Sequence, residues 1–394
     1  MRILAVALAA LLLAAGCATP IGVSPGRHQA VYRELTASVL TNGKLSPPTE
    51  QMLLRRGLNQ RFEKDPEGVL SELRGSGKDL TEDDHAALAE LCFFYAEKSG
   101  KRDYYLASAV YAYAFLAPPD TNLELSFVDP RIRLAADLYN LGLTRGLSDV
   151  GGNEVILTPG PRPLPFGTFD LETNPQEFDW AGFRMTRFIA VGEFEVRGLR
   201  NRYRQAGVGA PLAAELTPTG EGPDAETKRS RIPPTIKVPV TAFVRIANVD
   251  KGIETGNVTG RLELYAADEA SMVDVNGRRV PLELEPTAAL AYTLEGAAVW
   301  DTEIGNFLSP SNKVFGGDGL IMMHPYRPGQ IPVVLVHGTT SSPARWAEML
   351  NELQNDPILK DRVQFWLFTY NTSNPILLSA RDLTMSLTRR PPWL

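Results

Sequence analysis

Six residues, Ile331-Pro-Val-Val-Leu-Val336, are almost all apolar and mostly β-branched, the composition of a strand covered on both faces in a parallel sheet. No other segment limits the fold of the C-terminal part so strongly. Helical spacing follows from Pro343 to Leu353, with Trp346, Met349, Leu350 and Leu353 on one side and Ser342-Pro343 as a cap and pre-set first turn. A second apolar run, Val363 to Thr369, comes next, and Pro375 opens another helix through Ile376, Leu377, Ala380 and Leu383. Strand, loop, helix, strand, helix in this order predicts right-handed crossovers and a doubly wound α/β sheet over residues 291–394.

The rest of the chain divides differently, so a multidomain fold is expected. Residues 27–150 read as an α-helical domain: Thr81 is an N-cap with acidic residues in the first turn, Leu88, Leu91, Cys92 and Tyr95 share a face, and a partner helix runs from Arg102 to Leu116 before Pro118-Pro119. Tyr104, Tyr105, Tyr111 and Tyr113 of this pair either pack or line a groove. Residues 151–290 read as β-rich. Pro159, Pro161, Pro163 and Pro165 form a rigid connector, strand-like runs follow at 188–196, 236–249 and 258–266, and Asn276-Gly277 makes a tight hairpin turn, together suggesting a β-sandwich.

Charge and cysteine usage exclude several functions. The 40 Lys and Arg residues against 46 Asp and Glu give a net charge of −6, which leaves no basic excess for a nucleic-acid surface. Two cysteines, Cys17 and Cys92, cannot build a disulfide framework or a thiolate metal site. The four histidines, His28, His85, His324 and His337, show no metal-ligand spacing, and no cofactor is expected.

The N-terminus carries an address. The apolar run from Ile3 to Ala15 is shorter than the roughly 20 residues that span a bilayer and reads as a signal-peptide core. Leu13-Ala-Ala-Gly-Cys17 resembles the lipobox of bacterial lipoproteins, with Ala14 where that family most often has Leu; an ordinary secretory signal with a coincidental cysteine is the other reading. The resemblance implies removal of residues 1–16, lipidation of Cys17, a tether over 17–26 and a lipid-anchored location in the bacterial cell envelope, at an outer membrane.

Two further resemblances bear on function. The helix pair around Gly100 resembles a tetratricopeptide repeat in its small and aromatic positions, which implies a protein or peptide partner. Val333-Val-Leu-Val-His-Gly338, with Thr339-Thr-Ser-Ser-Pro-Ala-Arg-Trp346 and Phe365-Trp-Leu-Phe-Thr-Tyr-Asn-Thr-Ser-Asn-Pro375, resembles the α/β-hydrolase family, and within it lipoprotein-like hydrolases of the lipase or esterase kind. In such enzymes the loop after this strand gives one backbone N–H to the oxyanion hole, and the matching position is Thr339. A fixed donor of this kind lowers the barrier by about 3 kcal/mol. The resemblance also implies that Gly338 allows close backbone approach and that His337 packs in the loop, its alternative being a general base.

The family's nucleophile sits in a Gly-x-Ser-x-Gly elbow on the next strand, which normally pairs on the far side of the His337-bearing strand. One serine of the 394 residues has that spacing, Ser24 in Gly22-Val-Ser-Pro-Gly26, but it lies in the tether and ahead of every predicted strand; none lies in the pattern after the His337-bearing strand, and Gly146-Leu-Ser-Asp-Val150 fails at its last position. No elbow follows the His337-bearing strand, so the reading expects nucleophile, acid and base to be missing, leaving an N-terminal half of a hydrolase domain, inactive as written, with an exposed apolar strand edge. Thr384 to Leu394 reads unlike a helix continuation, so a shifted frame or premature stop is expected there.

Overall fold

The computed structural model describes residues 21–118, 129–220, 231–295, 319–338 and 343–388. Two compact units divide it, residues 1–47 and residues 48–394. The first contains α1 (His28–Leu35) and α2 (Val39–Asn42), the latter capped by Ser38, whose hydroxyl accepts from the Thr41 N–H at 3.3 Å.

Helices α3 (Pro47–Arg55), α4 (Asn59–Lys64), α5 (Pro66–Arg74), α6 (Glu82–Ser99), α7 (Arg102–Leu116) and α8 (Arg131–Gly146) come next. α6 starts where the sequence says it should. Thr81 Oγ1 accepts from Asp84 N–H at 3.2 Å while Thr81 N–H donates to the Asp84 carboxylate at 3.0 Å, closing a capping box. Every residue of α7 from Tyr104 to Phe115 is buried, so the four tyrosines pack in the core and line no groove. α8 lies close against α7 because Gly142 has no side chain; a Cβ there would stand 2.7 Å from the Tyr105 carbonyl oxygen.

The strand-rich stretch forms one seven-stranded sheet. In chain order its strands are β1 (Gly160–Leu164), β2 (Gly167–Glu172), β3 (Asp179–Trp180), β4 (Phe183–Ala190), β5 (Ala210–Pro218), β6 (Val238–Ile246) and, after the short α9 (Val249–Thr255), β7 (Asn257–Ala266). Their spatial order is β1-β2-β7-β6-β5-β4-β3, antiparallel throughout except for the β2–β7 pair. The expected two-sheet sandwich is thus corrected to a single sheet, because helices supply the second layer. Phe243 of β6 takes the rings of Tyr139 and Tyr113 at 5.9 and 6.3 Å. The Tyr139 hydroxyl donates to the Val244 carbonyl at 2.7 Å and accepts from the Val244 N–H at 2.8 Å. Ala213 pairs with Pro239 and so stands on the Phe243 face, where Ala288 and Ala289 of α10 (Pro286–Leu294) pack with it.

Two local expectations shift. The run at 188–196 leaves the sheet after Ala190, and the connector prolines lie partly within a strand, β1. Pro161 and Pro163, two residues apart on the sheet's outermost strand, direct their missing donors to the free side. The Asn276-Gly277 turn does join a hairpin, β8 (Met272–Val275) to β9 (Arg278–Pro281), with φ of 51° and 78° at the two turn residues.

A second, three-stranded sheet contains β10 (Gly319–Met322), β11 (Ile331–Val336) and β12 (Val363–Thr369) in the order β10-β12-β11. β12 is antiparallel to β10 and parallel to β11. α11 (Ala347–Asn355) follows a turn of 3₁₀ helix at Pro343–Trp346, and its Leu350 packs with Ile321, Leu335, Phe365 and Leu367. The predicted strands at 331–336 and 363–369 are both present, in a smaller sheet than the doubly wound one expected. α12 (Ile376–Thr388) corrects the expectation of a break near Leu383. The hydroxyls of Thr384, Ser386 and Thr388 each donate to the carbonyl four residues back, at 2.9, 2.7 and 2.8 Å, so these polar residues continue the helix.

Mixed α and β structure is therefore the fold class of the chain. α11, on the three-stranded sheet, meets α10 and the 200–201 segment through polar contacts, and Leu294 of α10 packs on the small sheet's apolar cluster. Thr287 donates to the Asn351 side chain at 2.6 Å, Asn351 donates to the Asn201 carbonyl at 2.8 Å, and Glu348 accepts from the Arg200 N–H at 3.1 Å.

Candidate functional site

Parallel pairing of β11 with β12 sets Val336 opposite Phe368, so His337-Gly338, just past β11, and Thr369-Tyr370, at the end of β12, stand side by side. The His337 ring lies flat against Tyr370, with centroids 4.4 Å apart and an interplanar angle of 14°. Tyr370 clasps it twice more: its N–H donates to His337 Nε2 at 3.4 Å and its hydroxyl to the His337 carbonyl at 2.8 Å. His337 Nδ1 is 3.1 Å from the Gly338 carbonyl. A carbonyl only accepts and an amide N–H only donates, so this geometry puts the proton on Nδ1 and the lone pair on Nε2. Both nitrogens are engaged. The imidazole is 4% exposed and packs against Tyr370 just past the end of β11.

Gly338 is exposed, and a Cβ on it would meet no described atom within 4 Å. Crowding by the described residues does not explain the glycine. Thr339, the oxyanion candidate, and residues 340–342 lie outside the described residues, as does Cys17.

The other histidines are elsewhere. His85 is buried in α6, 3.7 Å from Asp250 and 6.5 Å from the Tyr111 ring centroid, and burial pushes its imidazole below the ordinary value. His324 follows β10, at the other end of β12 from His337. Neither has a serine among its described partners. Cys92 is wholly buried in α6, which pushes its thiol far above the usual range and makes it inert as a nucleophile.

The residue missed in sequence is Tyr370. It belongs to the segment that carries the resemblance, but its use as the partner of His337 depends on parallel register, which a strand's composition does not specify. Comparison with protein-family models, with curated proteins and with solved structures finds no match to this chain. No helix among the described residues is long and apolar enough to cross a membrane.

Proposed function

We propose that the chain is a membrane-anchored lipoprotein of the α/β-hydrolase lineage, of the serine esterase or lipase kind, and that residues 1–394 hydrolyse no ester by themselves because nucleophile, acid and base are not among them. The observation that carries the reading is the strand order of the small sheet. The strand ending in His337-Gly338 is outermost, parallel to its neighbour, and its other edge has no partner among the described residues. That edge is where the resemblance puts the strand that carries the nucleophile. A serine delivered there would attack a carbonyl whose oxygen faces the backbone after Gly338. Without it, the loop can cradle a carbonyl but cannot open it.

Lipidation of Cys17 fits the same reading and puts the folded part outside the cytoplasm. Metabolic labelling with a fatty-acid analogue, lost on Cys17→Ala, tests it. For the chemistry, the purified chain is mixed with p-nitrophenyl butyrate and with a fluorophosphonate. Neither turnover nor labelling is expected, and stoichiometric labelling of a serine would refute the proposal. The lineage is tested in the gene: a Gly-x-Ser-x-Gly segment encoded after Leu394, in any frame, supports it, and absence from every frame counts against it. A non-enzymatic lipoprotein binding a peptide through its helices is the weaker reading, since the tyrosines that would have lined such a groove are in the core.

A further inference from the structure

A cavity of about 490 Å³ lies between the two sheets, within the size range of small-molecule sites. It is remote from His337. Val363 and Phe365, at the start of β12, line it, whereas Tyr370 follows the end of that strand; at about 3.3 Å per residue, roughly 20 Å separate the two places.

The walls are held in position without a ligand. Gln364, fully buried, donates to the carbonyls of Arg327 and Gln330 at 2.9 and 3.1 Å and accepts from the Arg327 N–H at 3.2 Å. Gln205 donates to the carbonyls of Ser271 and Leu282, each at 2.9 Å. A cavity so fixed loses little freedom on binding.

The polar groups of the wall fall into two sets. Three cations are committed: Arg327 to Asp268 at 3.3 Å, Lys237 to Glu215 at 2.9 Å, and Arg204 to the buried carboxylates of Glu283 and Glu285. They do not make an anion receptor. The remaining groups are mixed in kind. His324 Nδ1 faces the Pro325 carbonyl at 2.8 Å and so carries the proton, which leaves a lone pair on Nε2. Burial holds this imidazole below its ordinary pKa, favouring that neutral form. Among the described residues, the Glu269 carboxylate at the rim makes no side-chain hydrogen bond or ion pair, although the charges of Asp268 and Arg327 act on it, and Asp361 and Lys360 make none either. Acceptors and donors are thus both left over, and the uncommitted charges are of both signs.

A ligand of one polarity, cation or anion, would answer some of these groups and repel the others. A hydroxyl both donates and accepts, so a polyol can answer them all, while its C–H faces meet apolar wall residues such as Leu290 and Met323. From this juxtaposition of His324, Glu269, Asp361 and Lys360 around one preformed cavity we infer that the protein binds a small neutral carbohydrate, of one or two sugar rings, at a site separate from the His337 loop.

The test uses the full chain with maltose, cellobiose and N,N′-diacetylchitobiose as probes at millimolar concentration, followed by saturation-transfer NMR and calorimetry, with spermidine and butyrate as charged controls. At least one sugar is expected to bind saturably, and its affinity to fall about tenfold or more in Glu269→Gln and in His324→Ala, a loss of one directed hydrogen bond. Glu269 is at the exposed rim, so its conservative variant keeps the fold even if His324→Ala does not. Saturation by none of the sugars, binding of the charged controls alone, or sugar binding unchanged in Glu269→Gln would overturn the inference. None of these outcomes involves the His337 loop, so the hydrolase reading stands or falls separately.

Discussion

The seven-stranded sheet and the three-stranded sheet treat their edges in opposite ways. The large sheet ends on one side in β1, with Pro161 and Pro163, and on the other in β3, only two residues long. Both devices discourage further pairing. The small sheet ends in β11, where Ile331, Val333 and Val336 are 64%, 36% and 41% exposed and no charged residue interrupts the strand. α12 continues the contrast, with Ile376 and Leu377 79% and 83% exposed. One sheet closes its apolar surface on helices; the other leaves apolar surface uncovered among the described residues. The difference teaches that the small sheet has the surface expected of a part that functions paired to something more, whereas the large one has no such need.

Substitutions measure how deep the contrast goes. Phe243→Ala removes the ring that joins β6 to the helices and should lower stability by about 3–5 kcal/mol in urea unfolding. A loss below about 1 kcal/mol would mean that the helices and the large sheet do not share a core. Along β11 the same truncation should split by position: Leu335→Ala, in the buried cluster, costs about 2–5 kcal/mol, while Ile331→Ala, at the exposed start of the strand, stays within about 0.5 kcal/mol. Equal costs would show that the outer positions are covered after all.

The join between the sheets offers a sharper test. Asn351→Leu leaves the Thr287 hydroxyl and the Asn201 carbonyl without their partner, a loss of about 1–3 kcal/mol. Because the small sheet leaves β11 and α12 apolar surface uncovered among the described residues, hydrogen exchange should show it opening ahead of the large one.

A pH dependence belongs to the large sheet. Burial raises the Glu263 carboxyl, but hydrogen bonds from Arg245 at 2.8 and 2.9 Å and from Tyr265 at 2.8 Å outweigh it and hold it below the ordinary glutamate value of 4.5. A carboxyl lowered in the fold adds stability above its unfolded pKa, and this is lost as the pH falls through the folded value. Arg245→Met should therefore cost about 1.5–3 kcal/mol at neutral pH, and the gap from the unaltered chain should narrow in unfolding measured below pH 4.5. A gap that stays constant with pH would place the cost in packing. Smallest of all, Tyr370→Phe removes one hydrogen bond to the His337 carbonyl, about 1 kcal/mol.

Local chemistry was legible in the sequence where it acts within a few residues. The Thr81 cap, the helix Arg102–Leu116, the Asn276-Gly277 hairpin and the strands at 331–336 and 363–369 follow from caps, turn residues and composition. Pairing across long sequence distances was not. A sandwich and a single sheet over helices need the same alternating strands, and only tertiary contacts such as Tyr139 with Val244 decide between them. The same holds for the candidate site. His337-Gly338 is visible as a motif, but the clasp by Tyr370 depends on register, and the cavity around His324 draws its wall from segments far apart in the chain.

The open edge of β11 is tested most directly by residue-resolved amide hydrogen exchange. Ile331 N–H donates to the Arg362 carbonyl at 2.8 Å, so by alternation Val333 and Leu335 also face β12, while Val334 and Val336 face outward. Slow exchange at Val333 and Leu335 with fast exchange at Val334 and Val336 is the expected result. Uniform slow exchange along all four would contradict the account, because another segment would already occupy the edge where the proposal leaves room for a nucleophile strand.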